Sequence, residues 1–197
     1  ELDDALHPWH AVNYVESHDD FSFVDRICQG REVDTQNFPI EILKMNRLAL
    51  FLVLFSPGVP MISAGQDFMR HKYGNRNTYQ RGDLNALDYR NLDKYSELST
   101  EVEKFILFRL STEGEFLRPK QKVDCEYREI YNLPHGVLAI EIHHLKTECQ
   151  YCIIVNYTND DKRVELPVKW TRSECVLSGQ KVHNSLNAEG YGYYVLK

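Results

Sequence analysis

Apolar and polar positions follow two different rhythms along this chain. In the first part, residues 12–15 form a short apolar-rich run that ends in Glu16-Ser17-His18-Asp19-Asp20. Residues 21–29 then mix apolar and polar positions at helical spacing, with Phe23, Val24 and Ile27 on one side. Ile40, Ile42, Leu43, Leu48, Phe51, Leu52 and Phe55 make residues 39–55 a long helix, apolar nearly all round and therefore buried. Pro39 suits its first turn, and Ser56-Pro57-Gly58 stops it. Residues 59–64 read as a second strand, buried on both faces. It runs out into Gly65-Gln66-Asp67. Strand, crossover helix, strand, with polar side chains at both carboxyl ends, is how α/β enzymes build sites. Residues 65–91 form a long irregular stretch, a kind of loop that is usually functional. Helical spacing returns over 95–110, with an apolar stripe of Leu98, Val102, Phe105, Ile106 and Phe108-Arg109-Leu110.

After Glu113-Gly114 the rhythm shortens. Strands are expected at 127–132, 137–143, 151–157, 163–166, 174–177 and 192–196, separated by turn signals such as Leu133-Pro134-His135-Gly136 and Thr158-Asn159-Asp160-Asp161. Many short strands in a small span predict an antiparallel sandwich or barrel. The expected fold is thus α/β plus all-β, with residues 1–114 as the first domain and 115–197 as a small antiparallel β-sandwich domain. Residues 1–10 read as a loop or helix remnant closed by Pro8 and Trp9.

Composition narrows the function. The 43% hydrophobic content of 197 residues supplies a core, and a net charge of −6 lacks the basic footprint of a nucleic-acid binder. The longest apolar run, 48–55, is far shorter than a membrane span. Glu1 is not an initiator methionine, so the chain reads as an excised piece of a longer protein. Five cysteines at irregular spacing make a poor disulfide framework. Their unpaired count is the one pointer to a cytoplasmic location. Cys149-Gln150-Tyr151-Cys152 has metal-type spacing without a second pair, and strand cysteines are the simpler reading. No cofactor is called for.

Two clusters carry candidate chemistry. His18, Asp19 and Asp20 follow the first strand, and Glu16 stands one strand period before His18, on the same face. An Asp there also suits the cap of the helix at 21–29, and the residues alone leave both readings open. Gln66, Asp67, Arg70, His71 and Lys72 follow the second strand. Asn75, Asn77, Tyr79, Asp83, Asn85 and Asp88 come next in the long loop. Amides, carboxylates and flat aromatics such as Tyr73, Tyr79 and Tyr89 suit a ligand with many hydroxyls. A solvated loop of Asn and Asp turns is the plainer alternative.

The run from Val12 to Asp20 resembles the last conserved region of the α-amylase superfamily, glycoside hydrolase family 13, in which the seventh barrel strand ends in a His-Asp pair. The run from Ser56 to Phe68 resembles the eighth strand of that barrel. The segment from Asn77 to Tyr89 is similar to one found in the type I pullulanases and related debranching enzymes. Asp20 stands where many of these have Asn, and Tyr89 where they often have Trp. The resemblance implies that residues 1–114 are the last two βα units of a TIM barrel.

The resemblance further implies a retaining mechanism, with a carboxylate nucleophile and a carboxylic acid about 5–5.5 Å apart. In the family both come from the fourth and fifth strands, upstream of this sequence, so the chain alone is expected to be inactive. Asp19 would be the third, transition-state-stabilising carboxylate and His18 a substrate hydrogen-bond donor. Glu16, Gln66, Asp67, Lys72, Asn77 and Tyr79 would contact the sugar. The implied partner is an α-glucan such as pullulan, amylopectin, glycogen or limit dextrin, cleaved at α-1,6 branch links. The runners-up within the family are an α-amylase and a branching enzyme. Calcium stays an option for the parent, without support in these residues. Two barrel strands alone would leave apolar surface to meet the rest of the barrel or a second copy. The competing classes are a glycan-binding module, with Trp170, Tyr191, Tyr193 and Tyr194 as candidates, and a purely structural β domain.

Overall fold

A computed structural model describes residues 7–197, so the expectation for the first six lies outside the described residues. The described chain divides into two compact units, Trp9–Leu117 and a second made of Arg118–Lys197 with the residues described before Trp9.

The first unit holds two strands, β1 (Val12–Asn13) and β2 (Val59–Pro60), paired parallel with Val12 opposite Val59. Between them run α1 (Phe23–Cys28) and α2 (Ile40–Phe55). Three helices follow: α3 (Gly82–Asn85), α4 (Arg90–Lys94) and α5 (Ser96–Leu110). The strands are shorter than their apolar runs suggest. Val12 is 53% and Val59 43% exposed, so the strand at 59–64 is not buried on both faces. The physical reason is that, among the described residues, β1 and β2 form a sheet of two, with no further strand hydrogen-bonded to either.

Helix α2 is the centre of the unit. Nine of its side chains are buried, and Phe51 and Phe55 stack at 4.3 Å between ring centroids. Both meet Phe105 of α5 edge-on at 5.7 Å. Each fully buried ring of this size contributes about 1.5–3 kcal/mol. On α5, Leu98, Val102, Phe105 and Arg109 are buried at spacings of four, three and four, while Ile106 and Leu110 of the expected stripe are exposed. Arg109 is buried because its guanidinium is consumed by carbonyls, those of Leu54, Ser56, Gly58 and Leu117. That ties α5 to the turn from which β2 leaves.

The second unit is built on two four-stranded antiparallel sheets. One has the order β10-β5-β4-β3, from β3 (Cys125–Glu129), β4 (Val137–His144), β5 (Cys149–Asn156) and β10 (Tyr193–Leu196). The other has the order β6-β9-β8-β7, from β6 (Lys162–Glu165), β7 (Arg172–Glu174), β8 (Lys181–His183) and β9 (Ser185–Ala188). Ala139, Cys152 and Ile154 of the first sheet share one core with Val164, Val182 and Leu186 of the second. Asn156 is fully buried, and its amide donates to the carbonyls of Asp160, Ala188 and Glu189, which holds the turn after β5. The five cysteines are all free thiols, and burial pushes that of Cys152 up to about 12.

Candidate functional site

The loop that follows β1 carries the first cluster. Main-chain bonds align the two strands (Val59 amide to Ala11 carbonyl, 2.8 Å; Met61 amide to Asn13 carbonyl, 2.9 Å), and the Asn13 amide donates to the Pro57 carbonyl at 2.8 Å. Beyond Asn13 the chain leaves the pairing, and residues three apart part company. Glu16 turns inward and is 4% exposed, whereas the side chains of His18 and Asp19 are 90% and 83% exposed. The shared face expected for Glu16 and His18 is therefore absent. The Glu16 carboxylate accepts from the Phe23 amide at the start of α1. Burial holds its pKa above the usual carboxylate value, against the pull of the Phe23 amide, the Ser63 hydroxyl, Arg70 and Lys72.

His18 Nε2 and Asp19 Oδ2 stand 3.4 Å apart, pointing into solvent. Asp19 does not cap α1, and neither does Asp20. The cap is Ser22, whose Oγ accepts from the Asp25 amide at 3.1 Å, because the helix starts at Phe23. Asp20 has a left-handed backbone (φ 61°). Its carboxylate accepts from Arg76 Nε at 2.8 Å and Arg26 Nη2 at 2.9 Å. The Arg76 bond, aided by the Phe21 amide and Arg26, holds the Asp20 carboxyl below the usual range.

The second cluster separates into three environments. Lys72, expected to contact a ligand, is buried and points at the first loop, where its Nζ donates to the Asp20 carbonyl at 2.5 Å and the His18 carbonyl at 3.4 Å. Gln66 is also buried, and its carbonyl accepts from Asn46 of α2 at 2.8 Å. Asp67 accepts from Ser99 of α5 at 2.9 Å. Only Asn77 and Tyr79 of the expected sugar contacts lie in the open on the long loop, Tyr79 at 78% exposure. Asn85 braces that loop through the buried Thr78, giving its amide to the Thr78 carbonyl at 2.6 Å and accepting the Thr78 hydroxyl at 2.8 Å. Asp88 is chelated by Arg90, which holds its pKa at about 2. Phe68, Arg70, His71, Tyr73 and Asp83 line an open cavity of about 320 Å³ beside it.

Asp25 lies outside both polar clusters of the sequence. It is buried and accepts from the Lys72 amide (2.6 Å), the Gly74 amide (2.8 Å) and the Ser22 hydroxyl (2.7 Å). The spacing Ser22-x-x-Asp25 is a capping signature that marks it. In the second unit Trp170 is buried, and its Nε1 donates to Glu141 at 2.6 Å, so the ring is no open sugar platform. Among the described residues no group of three or more His, Cys, Asp or Glu side chains could hold a metal ion. No described helix is long and apolar enough to cross a membrane.

No family model matches the chain. It is 28% identical over 159 residues to the pullulanase of Bacillus subtilis (strain 168), covering 78% of this chain and 21% of that enzyme. It is 32% identical over 97 residues to an isoamylase of Flavobacterium sp., covering 39% of this chain and 12% of the relative. The homologues of this chain are pullulanases and isoamylases, the debranching enzymes of glycoside hydrolase family 13. The fold agrees. A pullulanase of Anoxybacillus sp. LM18-11, crystallised with maltotetraose, superposes with a TM-score of 0.82 at 21% identity over 99% of this chain and 29% of that one. The chain thus spans less than a third of the length of these debranching-enzyme relatives.

Proposed function

We propose that this chain is the carboxyl-terminal part of an α-glucan debranching hydrolase that cleaves α-1,6 branch links. In this reading the first unit is the last two βα units of a TIM barrel and the second is a β-sandwich domain. The observation that carries the reading is the His18–Asp19 pair. It projects at the carboxyl end of β1, next to a second parallel strand, in a chain whose homologues are pullulanases and isoamylases.

In a retaining glycosidase positive charge develops on the sugar ring as the glycosidic bond breaks. In this reading Asp19 accepts hydrogen bonds from hydroxyls of that ring, and its carboxylate charge favours the oxocarbenium-like state. His18 donates to the same ring. Such contacts strengthen in the transition state and supply several kcal/mol. Asn77 and Tyr79 offer an amide and a flat face to further sugar units. Glu16, Gln66 and Lys72 support the site from beneath. The nucleophile and the acid come, by the family resemblance, from other strands of the barrel, so these residues assist without cleaving. The maltotetraose in the Anoxybacillus pullulanase supports an α-glucan as the ligand class.

The test is reducing-end release from pullulan. The full-length gene product should turn pullulan over, Asp19→Asn should lower kcat by about 10²-fold or more, and the 197-residue chain alone should release nothing. Turnover by the isolated chain that Asp19→Asn abolishes would show that the roles are misassigned.

A further inference from the structure

A lysine with 1% of its surface exposed is unusual, because a buried ammonium is costly unless its donors are met. Lys72 meets them with backbone. Its Nζ donates to the carbonyls of Asp20 and His18, the two residues on either side of Asp19. Its own amide is held by Asp25 Oδ2 at 2.6 Å, and the neighbouring Gly74 amide by Asp25 Oδ1 at 2.8 Å. Asp25 in turn is fixed by Ser22 at the cap of α1. The lysine therefore stands on a buried carboxylate and reaches up to the loop.

The loop needs such a support. Asp20 is left-handed at φ 61°, a conformation that is strained for a residue with a Cβ. A residue held there persists when its surroundings over-determine it. Here its carbonyl is taken by Lys72 and its carboxylate by Arg26 and Arg76. Among the described residues Asp19 has His18 as its one ionic neighbour, and it projects into solvent, so its direction is set by the backbone on both sides of it.

The geometry points to Lys72 as a positioning residue for the His18–Asp19 pair, a buried strut that holds the carbonyls of His18 and Asp20 and so aims the Asp19 carboxylate at the sugar ring. This rests on the reading of that pair as glucan-contacting. It differs from a direct sugar contact by Lys72, whose ammonium is spent inside the protein.

The experiment uses the full-length gene product, wild type and Lys72→Gln, with pullulan kinetics beside deuterium uptake by the peptide spanning residues 16–22. A misplacement of about 1 Å at a reacting centre can cost about 10²-fold. The expected result is a kcat lowered about 10- to 100-fold, KM changed by less than about threefold, and faster uptake in that peptide. An unchanged uptake overturns the strut. So does an unchanged kcat, or a loss carried by KM alone, in an active enzyme. If wild type turns over no branched α-glucan, the functional reading fails, and the uptake still decides whether Lys72 holds the loop. If Lys72→Gln does not fold, the wild-type ammonium decides. Its protons, followed by ¹⁵N-detected NMR, should exchange with water more slowly than those of surface lysines, and equal exchange rates overturn the proposal.

Discussion

The Arg109 guanidinium donates to the Gly58 carbonyl at 2.7 Å, so the last turn of α5 grips the residue immediately before β2. The same side chain also bonds the carbonyls of Leu54, Ser56 and Leu117. Arg109→Met keeps the bulk and removes the donors. Each hydrogen bond to a charged group is worth about 1.5–3 kcal/mol, and stranded buried carbonyls add to the loss. The substitution should cost at least about 3 kcal/mol in urea denaturation. A loss below about 0.5 kcal/mol would show that water replaces the guanidinium at these carbonyls.

Glu16 should make stability depend on pH. Its folded pKa is raised above 4.5 by burial, so the folded state binds a proton that the unfolded state has released. By linkage its contribution is most favourable in acid and is lost as pH rises through the folded value. Glu16→Gln keeps an acceptor for the Phe23 amide and removes the charge. The variant should melt above wild type at neutral pH, with the margin closing as pH falls toward 4.5. A margin that widens in acid has the wrong sign for a desolvated carboxylate.

Trp170 tests the second unit. Its indole is enclosed in the core and donates to Glu141. Trp170→Phe should destabilise by about 1–3 kcal/mol, because the Glu141 oxygen loses its donor. Retention on amylopectin in affinity electrophoresis should not change. Weaker retention by a folded variant would make this ring a sugar contact.

Exposed apolar side chains on the first unit predict association of the isolated chain. Val12, Tyr14, Val59 and Met61 are exposed on and beside the two-stranded sheet, and Leu107 and Leu110 on α5. Open strand edges with apolar neighbours invite pairing. Light scattering on the 197-residue chain should give dimers or larger species that bind an apolar dye. A clean monomer without dye binding would mean that these surfaces are stable in water.

The helices were largely legible beforehand. The apolar positions of residues 39–55 anticipate α2, and those of 95–110 anticipate α5 to within one residue, because helical periodicity is a local property. Strands β8 and β9 escaped, since Lys181–His183 and Ser185–Ala188 are short and mostly polar and each has its inward positions set by a partner strand. The clusters after β1 and β2 are legible in the sequence as residue types. Which of their members are exposed and which buried is not, because Lys72 and Asn77 look alike as polar loop residues.

The amino-acid sequence by itself determined α1, α2 and α5, the change of rhythm near residue 114 and the His18–Asp19 pair, all of which rest on neighbours in the chain, whereas the short helices α3 and α4 lie where it shows only an irregular stretch. Tertiary structure alone decided that Glu16, Gln66 and Lys72 lie beneath the surface, while His18, Asp19 and Tyr79 stand in solvent. Burial of a charge depends on partners far away in sequence. Asp25 and Lys72, 47 residues apart, meet only when the loops after both strands have folded onto α1.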